Sequence, residues 1–272
     1  MNVLIFGATG MLGHTLMHSM SKSFTVFGTI RRKENDFSNH PLLEGMNLIG
    51  NTYAEDENSI ESAINTADPD VLINCIGIIK QLSEAKDPIK SITINSLFPH
   101  ILAKLCHERG IRLIHMSTDC VFSGEKGNYS EDDVPDAFDL YGRSKLLGEL
   151  FEPGCLTLRT SIIGRELNSA NGLLEWILSQ QGKTIQGFKN AKFSGFTTNA
   201  LSDIITKIIV NFPDLEGLYH VSSDPISKFN LLSLVKERFE LDIEIEPDET
   251  VTIDRSLNSL KFRHKTKIYI PS

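Results

Sequence analysis

Short apolar runs alternate with longer stretches in which apolar residues recur every three or four positions, and this rhythm holds over the first 160 residues. The runs Val3 to Phe6, Thr25 to Gly28, Met46 to Ile49, Val71 to Cys75, Ile111 to Met116 and Cys155 to Arg159 predict strands. Between them, helical spacing predicts helices over Met11 to Met20, Asn58 to Thr66, Ile89 to Glu108 and Tyr141 to Leu150, with Arg109-Gly110 closing the long one. Strands nearly continuous in apolar residues, each followed by a helix, describe an α/β protein whose parallel sheet is covered on both faces. After Arg159 the rhythm changes. Helices are predicted over Leu173 to Gln180, Asn199 to Asn211 and Leu231 to Glu240. Strands are predicted around Ile185, Leu218 to Val221, Ile243 to Ile245 and Lys267 to Ile270. Residues 1–160 thus form a main domain and 161–272 mainly a smaller lobe, with a return segment near 194–221 and a soft boundary.

The chain has 272 residues, enough to bury a core without metal or disulfide support. Thirty-five acidic residues against 27 basic ones leave a net charge of -8, with no basic block to offset it. That balance excludes nucleic acid or an anionic membrane as the main partner. The basic stretch Lys261 to Lys267 is expected to be a solvated edge. Four cysteines (Cys75, Cys106, Cys120 and Cys155) form no CxxC pair, which predicts free thiols in a reducing compartment. No 18-residue apolar run occurs, and the opening MNVLIFG carries no basic-then-apolar leader, so a cytoplasmic location is expected.

Gly7-Ala8-Thr9-Gly10-Met11-Leu12-Gly13 lies between the first strand and the first helix. Gly7 permits a tight turn, Gly10 the close approach of a pyrophosphate, and Gly13 close helix–sheet packing. The helix start would then offer free N–H groups to phosphate. Together these features predict a Rossmann-type, doubly wound parallel sheet that binds a dinucleotide. The second strand says which one. An NAD site commonly places an acid at its end to hold the ribose 2′-hydroxyl. Here no acid precedes Glu34, and Arg31, Arg32 and Lys33 follow instead. Arg31 and Arg32 suit a 2′-phosphate, so NADPH is favoured over NADH. Asn74, Cys75 and Gly77 close the fourth strand, where the cofactor should border the sheet.

Ser117-Thr118-Asp119-Cys120 follows the fifth strand, and Tyr141-Gly-Arg-Ser-Lys145 opens a helix with Tyr141 and Lys145 on one face. Reducing a ketone needs a proton donor at the developing alkoxide. A tyrosine can serve, with the lysine cation favouring its phenolate form and so lowering its pKa. Thr118 can hold the carbonyl oxygen beside Tyr141, and Lys145 can also reach the nicotinamide ribose.

These motifs, with Ser117-Thr118-Asp119-Cys120-Val121-Phe122-Ser123-Gly124 and Tyr141-Gly-Arg-Ser-Lys145-Leu-Leu-Gly-Glu149, resemble the extended short-chain dehydrogenase/reductases, in particular the dTDP-4-dehydrorhamnose reductase-like family. The resemblance spans essentially the whole chain. It implies a smaller C-terminal substrate-binding lobe and assigns Thr118, Tyr141 and Lys145 as catalytic hydroxyl, acid and assisting lysine. It also implies NADPH-dependent reduction of a 4-keto-6-deoxy sugar on a nucleoside diphosphate, feeding surface polysaccharide biosynthesis. Such reductases usually carry tyrosine where this chain has Cys120, and the related dehydratases carry glutamate there, so dehydration is not expected. Both dTDP-linked and UDP-linked substrates remain open. The alternatives are a nucleotide-sugar epimerase and a non-catalytic NADPH-binding regulatory subunit.

On the substrate side, the resemblance places Thr118, Asp119, Cys120 and the junction at Arg159 beside the sugar, and Arg255 near the diphosphate. Arg255 could equally be an ion-pair or surface residue. Phe193 to Asn199 is expected to return the chain to the sheet, and Ser222 to Ser227 to cap a helix. His115, inside an apolar strand, reads as a packed, hydrogen-bonded histidine, and Trp176 as packing for the small lobe. No spacing establishes a metal site. A homodimer is common for such folds, but no helical stripe demonstrates one.

Overall fold

The computed structural model describes residues 1–33, 40–167 and 169–271. Seven parallel strands form the main sheet in the order β11-β6-β5-β4-β1-β2-β3: β1 (Asn2–Phe6), β2 (Thr25–Thr29), β3 (Asn47–Ile49), β4 (Val71–Asn74), β5 (Arg112–Thr118), β6 (Cys155–Thr160) and β11 (Gly217–His220). Chain order reverses between β1 and β4, which opens a crevice at their carboxyl ends. The period of two along each strand builds two cores. Val3, Ile5, Val71, Ile73 and Ile114 face α1 (Met11–Met20) and α7 (Thr198–Asn211), whose Leu16, Met17, Leu201, Ile205 and Ile208 are buried there. Leu4, Phe6, Leu72 and Leu113 face the opposite way, under α2 (Glu57–Ala67) and α4 (Phe98–Arg109).

The long helix expected over Ile89 to Glu108 is three joined segments: α3 (Pro88–Ser91), a π-helical stretch Ile92–Leu97, and α4. Pro99 has no N–H to bond the preceding turn, and the widened π register absorbs the loss. Asp87 caps the start by accepting from Ile89 N (3.0 Å), and Gly110 ends the run at φ 67°. The expected helix from Tyr141 to Leu150 is shorter, α5 (Leu140–Leu147). It stops at Gly148, where a Cβ would stand 2.0 Å from the Asn95 carbonyl oxygen.

The smaller lobe contains β7 (Ile162–Ile163), α6 (Leu173–Leu178), β8 (Thr184–Phe188), β9 (Ala191–Phe193), β10 (Phe196–Thr197), β12 (Ile226–Ser227), α8 (Lys228–Phe239), β13 (Glu244–Asp248) and β14 (Ile253–Asp254). Its core gathers Ile163, Leu174, Ile177, Ile185, Leu232 and Ile243. Trp176 does not pack there as expected: Leu174 and Ile177 take the inner face, and the indole is 38% exposed. Ser227 caps α8 by accepting from Asn230 N at 3.1 Å. The tail also departs from expectation. Lys267 to Ile270 form no strand; a helix, α9 (Leu260–Thr266), precedes them and is ended by Lys267 at φ 54°. Phe262 is fully buried, and Phe262 and Ile270 both join the core of the main sheet. Among the described residues, no helix is long and apolar enough to cross a membrane.

Candidate active site

The turn after β1 is built as the glycine spacing requires. Gly7 adopts φ 90°, and Gly10 N donates to Gly7 O at 3.0 Å. A Cβ on Gly13 would lie 2.0 Å from Gly7 O, so only glycine lets α1 start against this turn. Gly10 caps α1 without a side-chain bond, and no acid occupies the first turn. Thr9, Gly10 and Met11 are exposed or half-buried at this mouth, while Leu12 points into the core. An uncapped helix N-terminus with free N–H groups fits a pyrophosphate. Arg31 and Arg32 come just after β2 and are exposed; Glu34, the first acid after them, lies outside the described residues.

The turn after β4 lies against this one: a Cβ on Gly7 would meet Ile76 Cγ1 at 3.1 Å. Asn74, expected as a cofactor neighbour, is buried, with its side chain turned inward. Its Oδ1 accepts from Ile76 N (3.0 Å) and its Nδ2 donates to His115 Nδ1 (3.1 Å). It shapes the turn; the exposed glycine is Gly77, where a Cβ would lie 3.9 Å from Lys145 Nζ. Burial pushes the half-buried Cys75 thiol up to about 12, against the pull of Lys145. Burial, then Lys145, holds His115 well below the usual histidine range, so it is the neutral, hydrogen-bonded residue expected.

Thr118 ends β5, and its hydroxyl donates to Asp119 Oδ1 (3.1 Å) and accepts from Cys120 N (3.1 Å). Tyr141 and Lys145 come from α5, whose N-cap Asp139 accepts from Gly142 N at 2.7 Å. Burial raises the Tyr141 phenol above its ordinary range, followed by Cys120, while a hydrogen bond with the Thr118 side chain opposes the rise. The sequence reading had Lys145 depressing this pKa. The balance runs the other way, because burial outweighs every other influence on the phenol. Tyr141 is therefore held in its protonated, neutral form. Lys145 is 5% exposed, and its Nζ donates to Met116 O at 2.8 Å. Burial lowers it to about 8, with Glu149 and Cys75 pulling it back up.

Asp119 is raised by burial, against hydrogen bonds from Thr118 and Cys120 and the charges of Arg255 and Lys228. Burial likewise pushes the Cys120 thiol up to about 12. Arg255 reaches this rim because residues 253–258 are stitched to the loop after β5: Asp254 N donates to Gly124 O (2.7 Å), and Arg255 Nε to Phe122 O (2.8 Å). Arg159 departs from its expected place beside the sugar. It is 3% exposed and grips Glu149 with two hydrogen bonds of 2.7 Å. Its position near the end of β6, a strand flanked by β5 and β11, puts the guanidinium inside the protein. Sequence reasoning missed Asn95, Glu149 and Lys228 as parts of this region. Asn95 ties the 78 loop to α5, accepting from Ile78 N (2.8 Å) and donating to Ser144 Oγ (3.2 Å). Glu149 carried a signal, an acid one turn beyond Lys145; Lys228 carried none, since only folding brings α8 near Asp119. Among the described residues, no group of three or more His, Cys, Asp or Glu is arranged to hold a metal.

A family model, the RmlD substrate binding domain, matches residues 1–258. A probable low-salt glycan biosynthesis reductase, Agl14, of Haloferax volcanii is 28% identical over 82% of this chain and 75% of its own length. The methionine adenosyltransferase 2 subunit beta of Xenopus laevis is 26% identical over 88% of this chain and 72% of its own. A hypothetical dTDP-4-dehydrorhamnose reductase from Sulfolobus tokodaii superposes with a TM-score of 0.82 at 28% identity, covering 100% of this chain and 97% of that one. The dTDP-4-dehydrorhamnose reductase of Bacillus anthracis, solved in complex with NADP, shares the fold with a TM-score of 0.81 at 20% identity, over 99% and 94% of the two chains. The match across both lobes, together with the glycine turn and the Thr118, Tyr141 and Lys145 arrangement, places the chain in the RmlD substrate binding domain family, as a dTDP-4-dehydrorhamnose reductase-like, NAD(P)H-dependent oxidoreductase.

Proposed function

We propose that the protein reduces a 4-keto-6-deoxy sugar, carried on a dTDP or UDP nucleotide, in surface polysaccharide biosynthesis, with NADPH as the reductant. The observation that carries this reading is the convergence of the Thr118 hydroxyl at the end of β5, the Tyr141 phenol and a buried Lys145, whose Nζ donates to Met116 O at 2.8 Å beside Gly77 and the glycine turn. Reductases among its relatives support the same reaction class.

Gly7, Gly10 and the first N–H groups of α1 would hold the pyrophosphate, with Arg31 and Arg32 on the 2′-phosphate. Bound NADPH supplies the hydride. Thr118 turns its hydroxyl from Asp119 to the sugar's carbonyl oxygen and orients it toward Tyr141. Tyr141, kept protonated by burial, delivers its proton to the alkoxide at the phenol oxygen. Lys145, still an ammonium below about pH 8, stabilises the phenolate left behind. Asp119, Cys120 and Arg255 line the sugar and diphosphate side.

Net oxidation of NADPH by dTDP- or UDP-linked 4-keto-6-deoxy sugars tests the proposal. Tyr141→Phe should lower that rate by about 10²–10⁴-fold while leaving NADPH binding intact. Epimerisation without net cofactor oxidation would replace the reading with an epimerase. NADPH binding with no turnover, alongside a stable complex with another enzyme, would favour the partner-subunit role suggested by the methionine adenosyltransferase subunit relative.

A further inference from the structure

Behind the site a row of polar side chains crosses the carboxyl ends of three neighbouring strands. Ser117 on β5, Arg159 on β6 and His220 on β11 are register partners. Glu149, just past α5, reaches across the first two of them. Its Oε1 accepts from Ser117 Oγ (2.6 Å) and Arg159 Nε (2.7 Å), and its Oε2 from Arg159 NH2 (2.7 Å). Arg159 NH1 then donates to His220 Nε2 (3.1 Å), whose other nitrogen donates to Tyr129 O (2.9 Å). That pairing requires a neutral imidazole, and burial followed by the Arg159 charge lowers His220 to about 3. The guanidinium also lies 5.2 Å from the centroid of the Phe122 ring, which stacks on Tyr129.

Every lone pair this carboxylate uses is matched, yet its side chain is wholly buried and that of Arg159 only 4% exposed. A buried ion pair of this kind is weak evidence for stability on its own, since removing both ions from water offsets their attraction. Its placement suggests another purpose. Ser117 immediately precedes Thr118, and Glu149 follows Lys145 by one turn, so the carboxylate joins the strand holding the hydroxyl to the helix holding the acid and the lysine.

We propose that Glu149, clamped by Arg159 and Ser117, is a positioning residue that acts through Lys145: it supplies the negative charge that keeps this buried lysine an ammonium and fixes α5 against the end of β5. The groups facing Lys145 leave it that task. Cys75, at the end of β4, stays a thiol through the neutral range, and His115, on β5, stays a neutral imidazole. Met116 offers only its carbonyl oxygen, and Tyr141, on the same helix, remains a phenol. Glu149 is the carboxylate among them, and its charge opposes the lowering of Lys145 by burial.

The role of Lys145 in proton delivery rests on the reductase reading, but the test does not need turnover. Nitrogen-15 NMR titration of the lysine ammonium groups, with Lys145 assigned through Lys145→Met, reads its protonation directly. In Glu149→Gln the Lys145 midpoint should fall to lower pH, a proton affinity reduced about tenfold or more. An unchanged midpoint in a folded Glu149→Gln protein would overturn the proposal. Because this variant leaves Arg159 unpaired, the double variant Glu149→Gln/Arg159→Met provides a second background, with the same expected and overturning outcomes. The wild-type titration adds a further check: a Lys145 midpoint below about pH 7, where the lysine would already be neutral at working pH, sinks the proposal. Once a substrate is in hand, Glu149→Gln should move the alkaline limb of kcat to lower pH, and Glu149→Asp should restore part of it. Absence of any turnover by wild-type protein would instead count against the reductase reading alone.

Discussion

At Tyr141, Lys145 and Asp119, burial is the largest influence on each group, and it favours the neutral form in all three. The spacing of Tyr141 and Lys145 is visible in the sequence, but the sign of the tyrosine's shift is not. It depends on how much protein surrounds the phenol, which no local pattern records. Arg159 shows the same limit: a cation at a strand end reads as a ligand until Glu149, ten positions earlier, is found gripping it. Arg31 and Arg32 stand in the opposite case, because adjacency alone places them just beyond β2, facing solvent. Replacing both by alanine should raise the KM for NADPH by about 10-fold or more, one charge-assisted contact per arginine, and leave that for NADH nearly unchanged. Steady-state kinetics with the two cofactors measures this directly.

Helices and strands were legible where one local rule dominated. The run Val71 to Cys75 and the capped helix after Asp56 fall within a residue or so of their expected limits, because burial pattern and capping agree there. The early stop of α5 was not, since it answers to a contact distant in sequence. Gly148 must pass the Asn95 carbonyl, and Ser96 Oγ donates to Ser144 O at 2.7 Å. The start of α5 also sets where Tyr141 stands. Asp139 caps it and meets Lys80 Nζ at 2.6 Å. Asp139→Ala should cost about 1 kcal/mol, the loss of an N-cap, seen as a lower midpoint in urea denaturation with an unchanged slope.

Taken whole, the molecule closes its main core with residues from its far end. Phe262 is fully buried against the sheet core, so Phe262→Ala should cost about 3–5 kcal/mol, measured by chemical denaturation, although the residue sits far along the chain from residues 1–160 that build most of the sheet. Alkaline pH is a second test at this scale. Burial raises Cys106 from 9.0 to about 12 and Cys155 to about 11, so above pH 9 the unfolded chain sheds thiol protons that the folded chain keeps. Folding stability should therefore fall as pH rises from 9 toward 12, and less steeply in Cys106→Ala. Lys145 opposes this between pH 8 and 10.5, where the unfolded chain holds the extra proton. Melting temperatures across that range check the net slope.

The parallel sheet, the glycine turn after β1 and the placing of Thr118, Tyr141 and Lys145 could be read without coordinates, because each rests on neighbours in the chain: alternation along a strand, glycines three apart, and two side chains one helical turn from each other. The tail's return to the core, the inward turn of Asn74 and the pairing of Glu149 with Arg159 required the fold. They depend on burial and on hydrogen-bond partners that come together when β6 and β11 align beside β5, and those partners are ten or more positions apart in the sequence.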